Sequence, residues 1–224
     1  MSQEKIFLEV EADAWFRRNP SSMVAANPDD PVLAALAAFD QPNRGAMLDV
    51  GGASGRIAAG FVRDHLGWSV RVVEPSGAAI AAGRQAFPQV EFRKGSITQV
   101  LPAGPHDSQY NVIVVSFVFC FLERDLLSSA ISNTDSALAD GGYLVIADFD
   151  SPHPRANPYA HHPGLFTYKQ DYPICFLALG IYHLEYRRSF VTGSAFNQGD
   201  PYDRFGMTAV LKKDLSGRYG NLAR

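Results

Sequence analysis

Apolar strand-like segments alternate with helical segments from residue 46 to residue 149, and this alternation limits the possible folds more than any other feature. Strands are predicted at 46–50, 69–73, 90–92, 110–117 and 142–149. Helices are predicted between them at 56–66, 77–86 and 123–138. Apolar strands separated by helices of about ten residues form βαβ units, whose parallel sheet is covered on both faces. The sequence therefore predicts an α/β fold, a Rossmann-like three-layer sandwich.

The two ends of the chain extend this core. Residues 1–44 are predicted to form an N-terminal helical cap, and residues 45–224 the main domain. Between 151 and 183 the chain is rich in Pro, His and Tyr, which indicates an ordered insertion or a lid over a site. Outside the alternating region, the pattern predicts helices at 9–18 and 31–39 and strands at 185–192 and 207–213.

The composition indicates a chain that builds a sizeable core and has no strong affinity for nucleic acid. Of the 224 residues, 46% are hydrophobic, and the net charge of −3 lacks the basic excess of a general nucleic-acid binder. No apolar stretch reaches the ~20 residues of a membrane helix, and the N-terminus does not resemble a signal peptide. Cys120 and Cys175 make neither a disulfide framework nor a zinc site, so a reducing, cytoplasmic setting is expected.

The strongest functional signal lies where the first strand meets the first helix of the alternating region. The strand ends in Gly51-Gly52-Ala53-Ser54-Gly55. Glycine allows positive φ and close approach of a ligand, and free N–H groups at a helix start favour an anionic or polar group. A tight turn that binds nothing is the plain alternative. Arg56 and Ile57 follow Gly55 and exclude a phosphate-binding P-loop, which needs Lys-Ser/Thr there.

Asp49, the glycines and Glu74 together resemble the signature of class I S-adenosylmethionine-dependent methyltransferases. The family's first motif, acid-x-Gly-x-Gly-x-Gly, is matched at Asp49, Gly51 and Gly55, with Ala53 in place of the middle glycine. Glu74 ends the second strand, where the family's ribose-binding acid falls. The resemblance covers the five alternating strands. It implies S-adenosylmethionine as the cofactor and a mostly parallel seven-stranded sheet whose last strand is antiparallel.

The resemblance also implies a set of residues that contact the cofactor. Glu74 would accept hydrogen bonds from the ribose hydroxyls, and Asp49 would attract the cofactor's ammonium group or hold the loop. Many family members carry Asp where Ser96 stands, to bind the adenine amino group; a serine hydroxyl accepts that bond more weakly. The alternative for these residues is that they only pack in the core or lie at the surface and do not contact a cofactor. The full predicted set is Asp49, Gly51, Gly52, Ala53, Gly55, Glu74, Pro75, Ser96, Ile97, Ser116 and Phe117.

Methyl transfer requires donor and acceptor to be held in contact, and a hydroxyl acceptor generally also needs a base or a metal. Asp148, Asp150 and His153 follow the fifth strand at the sheet edge where ligands gather, and we predict that they are catalytic. The same three side chains could bind a divalent ion. We nevertheless predict no metal site.

The resulting prediction is a methyltransferase for a small-molecule acceptor, without nucleic-acid or membrane partners. The segment 148–172 looks loosely like small bacterial methyltransferases of surface-polysaccharide biosynthesis, which suggests a sugar or sugar-linked metabolite. The stretch 15–19 would fold over the cofactor or serve as an ordinary amphipathic cap. Two alternatives stay open: a nucleotide-dependent oxidoreductase on a related sheet, and a non-catalytic cofactor-binding module. The sequence does not indicate the oligomeric state.

Overall fold

The computed structural model describes residues 2–19, 25–26, 28–192 and 204–216. Its helices are α1 Gln3–Ile6, α2 Ala12–Arg18, α3 Pro31–Leu36, α4 Arg56–Asp64, α5 Gly77–Ala86, α6 Leu127–Ala137 and α7 Pro173–Leu177. Its strands are β1 Gly45–Val50, β2 Trp68–Glu74, β3 Glu91–Lys94, β4 Tyr110–Ser116, β5 Leu138–Phe149, β6 Arg155–Pro158, β7 Phe166–Lys169, β8 Tyr182–Val191 and β9 Phe205–Lys213. A π-helical turn, Phe7–Glu11, joins α1 to α2.

Seven of these strands form one sheet in the order β3-β2-β1-β4-β5-β9-β8. Strand β1 pairs in parallel with both β2 and β4, whereas β9 runs antiparallel to β5 and β8. The predicted mostly parallel sheet with an antiparallel last strand is therefore confirmed. The strand order reverses between β1 and β4, and in open α/β sheets such a switch point opens a crevice at the carboxyl ends of the strands.

Each face of the sheet buries its own apolar cluster, because successive side chains of a strand point to opposite faces. On β4, Val112 and Val114 pack in the cluster that contains residues of α3, α4 and α5. Ile113 and Val115, between them, join the cluster on the other face, where α6 and α7 contribute. Fully burying such a side chain stabilises the fold by about 1.5–3 kcal/mol. These continuous apolar strands explain why the sheet could be predicted.

The structure departs from the predicted elements mainly at their ends. Strand β5 begins at Leu138, four residues before the predicted start, and α6 begins at Leu127 after two short 3₁₀ turns. In the range 151–183, predicted as an insertion, β6 and β7 form a hairpin and α7 follows it. The ranges 20–24, 193–203 and 217–224, with Met1 and Asn27, belong to the predicted cap or main domain but lie outside the described residues. Within the described part, no helix is long and apolar enough to cross a membrane.

Candidate functional site

A cavity of about 360 Å³ opens at the carboxyl ends of β1, β2, β3 and β4, at the switch point of the sheet. This volume falls within the range of small-molecule sites. The structure brings ten of the eleven predicted cofactor residues into its wall, and Gly55 is the exception. Those ten residues are Asp49, Gly51, Gly52, Ala53, Glu74, Pro75, Ser96, Ile97, Ser116 and Phe117.

The turn between β1 and α4 has three residues at positive φ: Gly51 at 69°, Ala53 at 49° and Gly55 at 80°. Ala53 thus holds the left-handed conformation that the family's middle glycine adopts easily. A Cβ on Gly51 would lie 2.4 Å from a methyl group of Val118. At Gly55 a Cβ would lie 2.8 Å from the ring of Phe92 on β3, so this glycine lets the turn pack closely against the sheet and is not part of the cavity wall.

Glu74 ties the end of β2 to the glycine turn. Its carboxylate accepts hydrogen bonds from the backbone N–H groups of Ala53 (2.9 Å) and Ser76 (2.8 Å). Burial raises the pKa of Glu74 to about 7. Because a carboxylate offers about four acceptor positions, two remain for hydroxyl groups of a ligand.

Asp49 is a buried acid, and neither carboxylate oxygen has a partner at good hydrogen-bond geometry among the described residues. The N–H of Ala58 and the charge of Arg56 favour its ionised form, but they do not offset the cost of burial. Burial, and then the charge of Glu74, raise the pKa of Asp49 to about 7. A Cβ on Gly52 would lie 2.5 Å from an Asp49 oxygen, so the absence of a side chain at Gly52 leaves room for the Asp49 carboxylate. An unpaired buried carboxylate is costly, and a ligand that brings a cation or donor to it would offset that cost.

An ion pair between Arg56 and Asp30 lies in the same wall. Asp30 also caps α3 by accepting a hydrogen bond from the N–H of Val32 (2.9 Å), which fixes its carboxylate. Arg56 is the first residue of α4, so its guanidinium adds a positive charge where the helix dipole is already positive. Asp30 balances the charge of Arg56, whose other guanidinium N–H groups are left as donors for an acceptor group of a ligand. No motif in the sequence indicates this role for Arg56.

The N-terminal segment, residues 3–19, forms one side of the cavity. Its lining residues are Glu4, Phe7, Leu8, Ala12, Trp15 and Asn19. The side-chain amide of Gln3 donates to the carbonyls of Phe121 and Phe166 (both 2.9 Å) and accepts from the N–H of Phe166 (2.8 Å). Trp15 and Asn19 lie in the stretch that was predicted to fold over the site. For the other lining residues of this segment, the only indication in the sequence is the apolar run Ile6-Phe7-Leu8.

The segment is also fixed to the insertion through Tyr159, whose hydroxyl donates to the buried Glu11 carboxylate (2.9 Å). Arg18 pairs with the same carboxylate. We expect Tyr159→Phe to lower the free energy of unfolding by about 1–2 kcal/mol, because the carboxylate loses a donor. Urea unfolding measures this loss, and Tyr168→Phe, at a tyrosine that does not bond to Glu11, is the control. An unchanged unfolding midpoint would show that the contact adds no stability.

The opposite end of the cavity is apolar and aromatic. Phe117 holds a φ of 53°, and its N–H donates to the carbonyl of Ala147 (2.7 Å). Its ring packs edge-on against Phe149 and Phe190, with centroids 5.4 and 6.4 Å away. A bulky residue at positive φ is strained, and such strain concentrates at functional sites. Phe190 lies far from the turn in sequence, and no local pattern predicts that it joins this site.

The three residues predicted to be catalytic do not line this cavity. Asp148 is fully buried, and its carboxylate accepts from the N–H groups of Cys120 (3.2 Å) and Phe149 (2.8 Å). Asp150 pairs with Arg187 (3.1 Å), and exposed His153 accepts a hydrogen bond at its carbonyl from Ser151 (2.7 Å). Residues two apart on a strand share a face, but β5 ends at Phe149, so Asp150 lies beyond the strand and bonds to Arg187 and Ser189 instead of the neighbours of Asp148. Within the described ranges, no group of three or more His, Cys, Asp or Glu is placed to hold a metal ion.

Comparisons with known proteins agree with this architecture. A family model described as a methyltransferase domain matches residues 24–184. No curated protein sequence matches the chain.

Similar solved structures share 14–16% sequence identity with the chain, so they bear on its fold alone. A SAM-dependent methyltransferase from Methanosarcina mazei has a TM-score of 0.65 and 16% identity over 86% of this chain and 100% of that one. The 1,6-didemethyltoxoflavin-N1-methyltransferase of Burkholderia thailandensis has a TM-score of 0.65 and 14% identity over 95% and 87%. The N-methyltransferase NodS of Bradyrhizobium japonicum, in complex with S-adenosylhomocysteine, has a TM-score of 0.57 and 16% identity over 88% and 97%.

Proposed function

The chain belongs to the methyltransferase domain family, and we propose that it transfers the methyl group of S-adenosylmethionine to a small-molecule acceptor. The predicted methyltransferase class is confirmed by this family. A glycopeptide N-methyltransferase of similar fold was crystallised with S-adenosylmethionine, which supports the same cofactor for this chain. The observation that carries the proposal for this site is the unpaired Asp49 carboxylate beside Glu74 in a cavity of suitable size.

The residues of the cavity fit the separate parts of this cofactor. We assign the ribose hydroxyls to Glu74, which retains free acceptor positions beside its two backbone bonds. Asp49 would receive the ammonium group. Arg56, which bonds to Asp30 through one nitrogen, would donate its remaining N–H groups to the carboxylate of the cofactor. The remaining predicted contacts with Gly51, Gly52, Ala53, Pro75, Ile97 and Ser116 belong to the same proposal. When bound, the cofactor supplies a methyl group on a positively charged sulfur, from which a nucleophile displaces it in line.

The acceptor would enter at the aromatic end, between Trp15, Phe117 and Phe190. These side chains hold an acceptor against the donor and exclude water, and such positioning supplies much of the acceleration of a displacement. We assign no proton transfer to Asp148, Asp150 or His153, because none of them lines the cavity. A sugar or sugar-linked metabolite, suggested by the segment 148–172, remains the proposed acceptor class.

The domain arrangement and the cellular setting are also part of the proposal. Residues 1–44 would act as a cap on a methyltransferase domain at 45–224, and the insertion at 151–183 would anchor that cap. The Gln3 and Tyr159 contacts support this arrangement. Both cysteines are free, and Cys120 is buried, which suits the reducing cytoplasm.

Thermal unfolding with added S-adenosylhomocysteine tests the proposal. At a hundred times its dissociation constant, the ligand is expected to add about 2.7 kcal/mol to the free energy of unfolding, because it binds only the folded chain. NAD at the same concentration is the control, and stabilisation by NAD alone would favour the oxidoreductase alternative. Stabilisation without methyl transfer to any of a broad metabolite panel would favour the non-catalytic alternative.

A further inference from the structure

Three polar side chains form a hydrogen-bonded chain in the cavity wall beyond Glu74. Ser96 Oγ and Thr98 Oγ1 lie 2.7 Å apart. The Thr98 hydroxyl also donates to the carboxylate of Glu4, which belongs to α1 in the N-terminal segment. All three residues line the cavity. Ile97, which lies between Ser96 and Thr98 in sequence, is buried and lines the cavity as well. This group joins the end of β3 to the segment that covers the site.

The hydroxyl hydrogens of Ser96 and Thr98 can be arranged in only one way. An ionised carboxylate accepts hydrogen bonds and cannot donate them, so the Thr98 hydroxyl must donate its hydrogen bond to Glu4. The Ser96 hydroxyl must then donate to Thr98. Both hydroxyl hydrogens are thus used within the chain. What Ser96 and Glu4 still offer to a ligand is lone pairs, and a ligand that fits them must bring a donor.

We propose that Glu4, together with Ser96, recognises the 6-amino group of the cofactor's adenine; this inference rests on the proposed function. The position where many family members carry an acid holds Ser96, and Glu4 supplies the carboxylate from another part of the chain. An amino group satisfies these lone pairs. A 6-oxo purine would place its own oxygen against the lone pairs of these half-buried groups, so it binds more weakly.

The position of Glu4 is fixed before a ligand arrives. Its own N–H donates to the carboxylate of Glu123 (3.3 Å), and the neighbouring Gln3 bonds to the backbone of Phe121 and Phe166. Little ordering is then needed on binding, which preserves affinity. Because Glu4 lies on the covering segment, adenine recognition and closure of the cavity depend on the same contacts.

The test is a calorimetric comparison of S-adenosylhomocysteine with S-inosylhomocysteine, in which a carbonyl replaces the amino group. The wild-type chain should prefer the adenine compound by about tenfold or more, as expected for one hydrogen bond to a charged group. Glu4→Gln should reduce this preference by about tenfold, since a carboxamide can turn its NH₂ toward the carbonyl. The matched control is Glu9→Gln, because Glu9 lies on the same segment, is exposed and pairs with Lys5.

A second variant separates recognition from an effect on folding. Adding Ser96→Asp to Glu4→Gln returns a carboxylate to this end of the cavity and should restore the preference. If the wild-type chain binds S-adenosylhomocysteine but Glu4→Gln keeps the full preference, the inference is wrong and the proposed function stands. A double variant that does not regain the preference also contradicts the inference. If the wild-type chain binds neither compound, both the inference and the proposed function are wrong.

Discussion

Replacing Glu74 by alanine is expected to weaken the binding of S-adenosylhomocysteine by about 3 kcal/mol, or roughly 150-fold. The reason is that the carboxylate is buried at the end of β2, lines the cavity and has two free acceptor positions for the ribose hydroxyls. Isothermal titration calorimetry measures the loss directly. The control is Glu91→Ala, which removes a half-exposed carboxylate from the neighbouring strand, where it pairs with Arg71 outside this cavity.

Glu74 also holds the N–H groups of Ala53 and Ser76, so a weaker affinity alone could reflect a disturbed turn. A ligand without the ribose 2′-hydroxyl separates the two effects in a double-mutant cycle. The wild-type chain should lose about tenfold in affinity for this 2′-deoxy compound. The Glu74→Ala variant should lose nothing further. Equal losses in both proteins would show that Glu74 shapes the turn without contacting the ribose.

The parts of the site that the sequence predicts are those that local sequence determines. A glycine-rich turn after an apolar strand leads directly into α4, and Glu74 ends the next strand, so both reach one edge of a parallel sheet. Their approach follows from the βαβ pattern alone, since parallel strands carry their carboxyl ends to the same edge. The conformation of Ala53 is also determined locally, because the turn imposes its positive φ.

The parts that the sequence does not predict depend on distant contacts. Phe190 joins Phe117 only because β8 lies beyond β9 at the edge of the sheet, and Glu4 reaches Thr98 only because Gln3 bonds to Phe121 and Phe166. No local pattern fixes such pairings.

Asp148 shows a different limit. Its place at a strand end is predicted well, but the side of the sheet that it faces depends on the register. In the structure that register directs its carboxylate to the buried N–H of Cys120.

We expect Asp49→Asn to raise the stability of the ligand-free protein at pH 8 while it weakens cofactor binding. The folded chain holds the Asp49 proton more tightly than the unfolded chain, since its pKa rises from 3.8 to about 7. The unfolded chain therefore gives up this proton first as the pH rises. Asp49 thus makes the fold progressively less stable between about pH 4 and pH 7, and the penalty stays constant above that range.

The shift of about three pH units corresponds to a penalty of roughly 4 kcal/mol for the ionised carboxylate. An asparagine of nearly the same shape cannot ionise, although its buried amide would still lack partners at a cost of about 1–3 kcal/mol. The variant should therefore gain about 2 kcal/mol over the wild-type chain at pH 8. At pH 4 it should lose about 1–2 kcal/mol, because the amide still costs as much while the wild-type acid carries almost no penalty there. Urea unfolding at the two pH values would measure both differences. Asp64→Asn, at an exposed residue paired with Arg63, is the control and should show no such dependence.

The same substitution should lower the affinity for S-adenosylhomocysteine, because an amide cannot neutralise the ligand's ammonium group as a carboxylate does. Stability gained in the empty protein and affinity lost for the ligand would then have one cause: a buried acid that lacks a partner until the cofactor supplies one. A variant that gains stability and keeps full affinity would place the ammonium group elsewhere. A variant that gains none would mean that Asp49 is already satisfied in the folded chain. The unpaired acid would then no longer support a charged ligand in this cavity.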